Sequence, residues 1–374
     1  MTTKTVYDEV SERYAEGAQE KQAALCCPVD YDQSLLEMLP QEIIDKDYGC
    51  GDPSRYVRAG DTVLDLGSGG GKICYMAAQL VGDNGRVIGI DMTDDMLALA
   101  RQYQAEMAEK LGGERVAFKK AYIQDLALGF DAMESYLQKS PIVDGPSLQR
   151  FNRWKEQHRQ TSPLIADSSV DLVISNCVLN LVAEADRRQM IAEIFRVLAP
   201  GGRVAIADII ADERVPEHLK ADSTLWSGCI SGAFHEKDFL DAFTEAGFVL
   251  VAYDKWDTQP WQVVEAIEFR SVTLTAVKPS KDALYDGGHA VLYKGPYAEV
   301  HDDLGNLFAR GERIAVSKRT YELIVKGPSA ADFIGFEPQE PINKGCFNLP
   351  AGTQRSSTET KGGSQAGGEA GGCC

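Results

Sequence analysis

Nine cysteines and one glycine-rich turn hold most of the reactive potential of this 374-residue chain. The cysteines are Cys26, Cys27, Cys50, Cys74, Cys177, Cys229, Cys346, Cys373 and Cys374. No secretion signal precedes them, so their number points to thiol chemistry or soft-metal binding rather than structural disulfides. The plainer alternative is that several are small buried hydrophobes. The five histidines, His158, His218, His235, His289 and His301, are scattered, none stands at zinc-ligand spacing from a cysteine, and no Cys-x-x-Cys occurs. The turn reads Val63-Leu64-Asp65-Leu66-Gly67-Ser68-Gly69-Gly70-Gly71. Glycines after a buried strand let the backbone turn tightly and approach a ligand, and the helix that follows presents N–H groups with no partner inside the helix.

The elements around these residues alternate. Apolar strands are expected at 62–66, 86–90, 116–119, 170–175, 203–207, 248–253 and 270–277. Helices are expected at 73–81, from an N-cap at Thr93 to about Lys110, at 186–198 and at 236–246. Strands alternating with helices of this length predict a mostly parallel sheet with helices on both faces, the α/β class. Residues 1–60 read as a helical cap and 61–280 as the α/β domain. Within it, 129–163, with Pro141, Pro146 and Pro163, read as an inserted loop with a short helix. Residues 281–350 lose the rhythm and read as a small α+β domain with β-like runs at 289–293, 313–317 and 321–325. The tail 351–374, rich in Gly, Ser and Thr, is expected to be disordered.

Composition narrows the partners. The net charge of −18 repels phosphate backbones and anionic bilayers, so nucleic acid and membrane are excluded as partners and a small molecule is expected. No run of about 18 apolar residues occurs. Residues 1–20 are polar and acidic, without the features of a signal or transit peptide, so the cytosol is the expected compartment.

Two ligand classes use a strand–glycine turn–helix: dinucleotides and S-adenosylmethionine (SAM). The turn departs from GxGxxG at its last glycine. It resembles the Rossmann-like class I SAM methyltransferases in three ways. Asp65 stands two residues before Gly67. Asp91 follows Gly67 by 24 residues, at the end of the second strand, where a carboxylate accepts ribose hydroxyls. Tyr122-Ile123-Gln124-Asp125 follows the third strand. The resemblance implies that Asp65, Gly67, Ser68, Gly69, Asp91 and Met92 hold the cofactor, that Ile123 packs on adenine, and that Gln124 or Asp125 meets its edge.

Four segments narrow the family further: Tyr48-Gly49-Cys50-Gly51, Ile88-Gly89-Ile90-Asp91-Met92-Thr93, Ser175-Asn176-Cys177-Val178-Leu179-Asn180-Leu181 and Leu225-Trp226-Ser227-Gly228-Cys229-Ile230-Ser231-Gly232-Ala233. They resemble arsenite methyltransferases over about residues 10–335, and the Gly-Gly-Cys-Cys ending also recurs in that family. The resemblance implies that Cys177 and Cys229 bind As(III), with Cys50 as third thiol and Asn176 at the cofactor. It implies that As(III), or its thiol conjugates, is methylated by SAM, an arsenic detoxification. Cys26 or Cys27 would form a disulfide with Cys50 to return the metalloid to the trivalent state, and a thioredoxin or glutathione system would reduce that disulfide. Trp226, Tyr7 and Tyr14 are candidate shields for the site, and Cys74 reads as structural. Two other functions fit less of the sequence: methylation of an organic molecule with Cys177 and Cys229 as core residues, and a non-catalytic thiol-based metalloid-binding protein.

Overall fold

The computed structural model describes residues 5–20, 29–280, 284–338 and 344–360. Cys26, Cys27, Cys373 and Cys374 lie outside the described residues. The chain divides into two compact units, Met1–Pro279 and Ser280–Cys374.

The first unit opens with α1 (Val6–Gln19), α2 (Gln33–Leu36) and α3 (Gln41–Asp45). The sheet region then runs β1 (Thr62–Leu66), α4 (Lys72–Val81), β2 (Arg86–Asp91), α5 (Asp94–Gln102), α6 (Gln104–Leu111), β3 (Val116–Lys120), α7 (Phe130–Lys139), α8 (Gly145–Thr161) and β4 (Val170–Asn176). After these come α9 (Arg187–Val197), β5 (Leu198–Ala211), α10 (Glu217–Lys220), α11 (Ser223–Ser227), β6 (Phe234–His235), α12 (Glu236–Glu245), β7 (Val249–Trp256), β8 (Gln262–Val264) and β9 (Ile267–Val277).

The main sheet has the order β3-β2-β1-β4-β5-β9-β7, with β6 beside β5 and β8 beside β9. The pairs from β3 to β5 are parallel and β9 is antiparallel to β5. This is a Rossmann-like fold. Its central strands are buried on both faces, so they read as continuous apolar runs rather than alternating ones. One core gathers Leu64, Leu66, Val173, Ile194, Val204, Phe239 and Phe243, and a second gathers Val63, Tyr75, Met76, Ala77, Leu97 and Leu172. Each fully buried large side chain contributes roughly 1.5–3 kcal/mol. The order reverses between β1 and β4, and the crevice at their carboxyl ends is where open α/β sheets bind ligands.

Several expectations need correction. The segment 129–163 holds two helices, α7 and α8, instead of a loop with one short helix. Its prolines mark boundaries: Pro146 sits in the first turn of α8, where a missing N–H costs nothing, behind a capping box of Asp144 and Ser147. The helix expected from Thr93 to Lys110 breaks at Tyr103 (φ −98°, ψ 1°), whose hydroxyl reaches Glu42 at 2.5 Å. The Pro200-Gly201-Gly202 turn lies inside β5, at a register shift against β4.

The second unit contains β10 (Ala290–Tyr293), β11 (Glu299–His301), β12 (Leu307–Ala309), β13 (Arg313–Ala315), α13 (Lys318–Val325) and β14 (Phe333–Phe336). Its sheets are β13-β10-β14 and the pair β11-β12, around Val291, Tyr293, Phe308, Ile314 and Val316. The β-like run at 321–325 is in fact the end of α13. Its signal was Ser317, which caps the helix by accepting from the N–H of Thr320 at 3.0 Å. The tail is ordered as far as Thr360 rather than disordered from residue 351: Arg355 is buried and pairs with Asp286 at 2.8 Å. Residues 361–374 lie outside the described residues.

Candidate active site

The glycine turn is built at the carboxyl end of β1. The N–H groups of Gly67 and Ser68 both donate to the Ile90 carbonyl, at 2.8 and 2.9 Å, which ties β1 to β2. Gly67 has φ +72°, and a Cβ there would stand 2.4 Å from Cγ1 of Val178. Glycine is required both for the backbone and for the space.

The nine residues expected at a cofactor, Asp65, Gly67, Ser68, Gly69, Asp91, Met92, Ile123, Gln124 and Asn176, all line one cleft of about 900 Å³. Both oxygens of Asp91 accept backbone N–H groups, from Thr93 at 2.8 Å and Gly69 at 2.9 Å. Burial pushes its carboxyl upward, and those N–H groups act against the shift. Burial also pushes Asp65 up to about 7, against the hydrogen bond donated by the Cys74 thiol at 3.2 Å. Cys74 is itself buried, and burial and Asp65 push its thiol well above the ordinary value. Of the two candidates for the adenine edge, Gln124 lines the cleft. Asp125 is engaged elsewhere, by Arg159 of α8 at 2.7 Å.

The fit to SAM rests on charge. Asp65, Asp91 and Asp47 face one largely apolar cleft. Asp47 is matched by the buried Lys72 at 3.0 Å and by the Tyr31 hydroxyl at 2.9 Å. Among the described residues, Asp65 has no such cation at hydrogen-bond range, so a cationic ligand rich in donors suits the cleft. SAM carries a sulfonium, an ammonium and ribose hydroxyls, and the residues present fit it.

The thiols lie beside this cleft. Cys177 follows β4, its N–H bonded to the Ala207 carbonyl of β5 at 2.8 Å, and it lines the cleft. Asn176 clamps the loop before β1: its Oδ1 accepts from the N–H of Cys50 at 2.9 Å and of Gly51 at 3.0 Å, and its Nδ2 donates to the Gly51 carbonyl at 2.8 Å. Cys50 is further held through its carbonyl, which accepts from the Ser271 hydroxyl of β9 at 2.7 Å. The clamp brings Cys50 to Cys177, and the two form a disulfide with Cα atoms 5.7 Å apart. Cys229 stays a thiol, its sulfur 3.4 Å from the Cys177 carbonyl oxygen. All three cysteines are buried and share one apolar cluster with Trp226, Ala207 and Ile230. Trp226 donates its Nε1–H to the Leu181 carbonyl at 3.3 Å.

Cys177 and Cys229 both have positive φ, +59° and +62°. Such backbone is rare for residues with a Cβ and gathers at functional sites.

Sequence reading missed Asp208. Its carboxylate and the sulfurs of Cys50 and Cys177 all lie within 4.8 Å of one another, and Cys229 stands outside that group. Asp208 is buried and accepts from the N–H of Leu179 at 2.9 Å, the N–H of Ile209 at 2.8 Å and Nδ2 of Asn180 at 2.8 Å. Burial pushes its carboxyl up to about 7 despite those donors. The expected partner of Cys50 also differs: the structure pairs it with Cys177, and Cys26 and Cys27 lie outside the described residues.

Among the described residues, no helix is long and apolar enough to cross a membrane. A profile of a methyltransferase-domain family matches residues 58–144 and 155–247, and that of a domain of unknown function (DUF8838) matches 280–365. The chain is 31% identical to arsenite methyltransferase of Mus musculus over 348 residues, covering 88% of this chain and 80% of the relative. It is 33% identical to arsenite methyltransferase of Aquipseudomonas alcaligenes, covering 70% of this chain and 67% of the relative. The crystal structure of an arsenic(III) SAM methyltransferase from Chlamydomonas reinhardtii superposes with a TM-score of 0.52 at 26% identity, covering 88% of this chain and 100% of that one.

Proposed function

The chain belongs to the arsenite methyltransferase family, and from that membership we propose that it is a SAM-dependent methyltransferase that alkylates trivalent arsenic held by Cys177, Cys229 and Cys50. The observation that carries the reading is the convergence of three cysteines from three distant segments beside the cleft, with Cys177 belonging to both the cluster and the cleft wall. Trivalent arsenic is soft and prefers thiolates, which hold it in a pyramid and leave its lone pair open.

When bound, SAM supplies a methyl carbon already activated by its sulfonium, so arsenic needs no base to be alkylated. The protein's part is placement. Asp91 receives ribose hydroxyls, Ile123 and Gln124 receive adenine, and Asp65 offsets positive charge. The cysteines fix the direction of the lone pair, and such positioning contributes several kcal/mol to a barrier.

Methylation leaves arsenic pentavalent. Two thiolates then leave together: two As–S bonds break, one S–S bond forms, and one electron pair stays on arsenic, which returns to the trivalent state. Water fills the vacated position and releases a proton. The Cys50–Cys177 pairing supports those two sulfurs as the departing pair. A thiol reductant of the thioredoxin or glutathione type then reopens the disulfide by exchange.

The test combines the protein with As(III), SAM and a thiol reductant and looks for methylated arsenic. A folded protein that binds SAM and yields no methylated arsenic would refute the reading. Cofactor binding also carries a pH signature. Asp65 is protonated below about 7. A cationic ligand favours the ionised form, so the Kd for SAM rises as pH falls through 7, by at most about tenfold per unit. Titration calorimetry between pH 5.5 and 8 measures this. Asp65→Asn should flatten the profile, and an unchanged slope in that variant would count against Asp65.

A further inference from the structure

Asp208 has no part in the reaction described above, yet it stands among the thiols. Among the described residues, one group of cysteine, histidine or acidic side chains converges closely enough to share an ion: Cys50, Cys177 and Asp208, whose ligand atoms all lie within 4.8 Å of one another. All three are buried.

The carboxylate is aimed by its neighbours. Oδ1 accepts from the Ile209 N–H and from Nδ2 of Asn180, both at 2.8 Å, which fills its two lone pairs. Oδ2 accepts from the Leu179 N–H at 2.9 Å and only distantly from the Asn180 N–H at 3.4 Å, so it keeps capacity for a further partner. Donors of this kind hold a carboxylate in the direction a metal ion needs.

The donor set selects the ion. Two sulfurs and one oxygen suit a borderline divalent ion, zinc above all, and three protein ligands leave its fourth position open. With bonds of about 2.0–2.3 Å, the ligand atoms of a tetrahedral zinc stand roughly 3.3–3.8 Å apart, inside the 4.8 Å limit of this group. Trivalent arsenic prefers thiolates instead, and the third thiol, Cys229, lies outside the group.

We propose that Cys50, Cys177 and Asp208, in the dithiol state, form a zinc site, and that the bound ion shuts out arsenite. The disulfide closes the site, because its sulfurs are bonded to each other. Once it is reduced, two zinc–sulfur bonds form and two thiol protons leave for solvent. Zinc and arsenite then compete for Cys50 and Cys177, while the cofactor residues stay free. The competition rests on the reading that these cysteines bind arsenic. The zinc site itself does not.

The test uses the full-length protein with Cys26, Cys27, Cys373 and Cys374 changed to serine, so that the two vicinal pairs take no zinc. It is reduced with a phosphine, freed of it without air, and loaded with one equivalent of Zn2+. X-ray absorption at the zinc edge should show two sulfurs and lighter atoms around the metal. Asp208→Asn should raise the zinc Kd at least about tenfold and spare arsenite affinity, and Cys229→Ser should do the reverse. With free zinc at about ten times its Kd, the apparent Kd for arsenite should rise about tenfold, with that for S-adenosylhomocysteine unchanged. Three sulfurs around the zinc, or an unchanged zinc Kd in Asp208→Asn, would overturn the proposal. The X-ray measurement decides even where Asp208→Asn fails to fold. Zinc bound by two sulfurs with arsenite affinity untouched would keep the metal site and refute Cys50 and Cys177 as arsenic ligands.

Discussion

Serine in place of Cys177 is expected to remove arsenic methylation while leaving SAM bound. The exchange keeps shape and replaces a soft donor with a hard one, which trivalent arsenic does not favour. Even a partner outside a ligand set is worth about 10–100-fold in metal affinity, so loss of a direct ligand should lower turnover by at least that much. Cys177 suffers a second loss, since it is half of the Cys50–Cys177 disulfide and its removal deprives the metalloid of its internal reductant. The cofactor residues are untouched: Asp65, Asp91 and Ile123 are held by β1, β2 and the turn after β3, so SAM affinity should stay within a few-fold. Labelled-methyl transfer to arsenic and SAM binding by calorimetry separate the two effects. Cys346→Ser, an exposed thiol of the second unit, is the matched control and should leave the rate unchanged. Full arsenic methylation in Cys177→Ser would show that Cys177 is not a ligand of the metalloid.

The legible parts of this chain are those where burial writes a continuous pattern. β1, β2 and β4 are doubly buried parallel strands, and their apolar runs end at Gly67, Asp91 and Cys177, the very positions that face the crevice. A sheet fixes direction, so a residue at a strand's carboxyl end could be placed near the cofactor without coordinates. Pairings across the chain were beyond reach. Cys50 meets Cys177 over a separation of 127 residues, through the Asn176 clamp, and nothing in local spacing encodes that. Asp208 did leave a signal, a single acid in the buried run Val204–Ala211, and a charge in such a run deserves suspicion as a functional group. The misread helices share another cause. Pro146 stands in the first turn of α8, where proline is favoured, and α13 is announced by its Ser317 cap rather than by the short run 321–325.

Alanine at Gly67 is expected to damage fold and cofactor binding together, for two separable reasons. The first is backbone: φ is +72°, and a residue with a Cβ loses roughly 1–2 kcal/mol in left-handed geometry. The second is space: the new Cβ would lie 2.4 Å from Cγ1 and 2.5 Å from Cγ2 of Val178, and overpacking of this kind costs about 1–3 kcal/mol. Gly112 isolates the first term. It is left-handed at φ +76°, ψ 17°, yet a Cβ there meets nothing within 4 Å. Gly112→Ala should therefore lose only the backbone share and leave SAM affinity alone. Gly67→Ala should lose about 2–5 kcal/mol in total, measured as a drop in the denaturant midpoint at constant slope. The clash also has a direction. Val178 is the residue after Cys177, so relief by moving Val178 displaces the thiol, while relief by moving the turn displaces Ser68 and Gly69 from the cleft wall. The first route predicts that Gly67→Ala loses arsenic methylation even at saturating SAM, which simple loss of cofactor affinity would not produce. Recovery of the full rate by excess SAM would show that the turn relaxes alone and that the two halves of the site are mechanically independent.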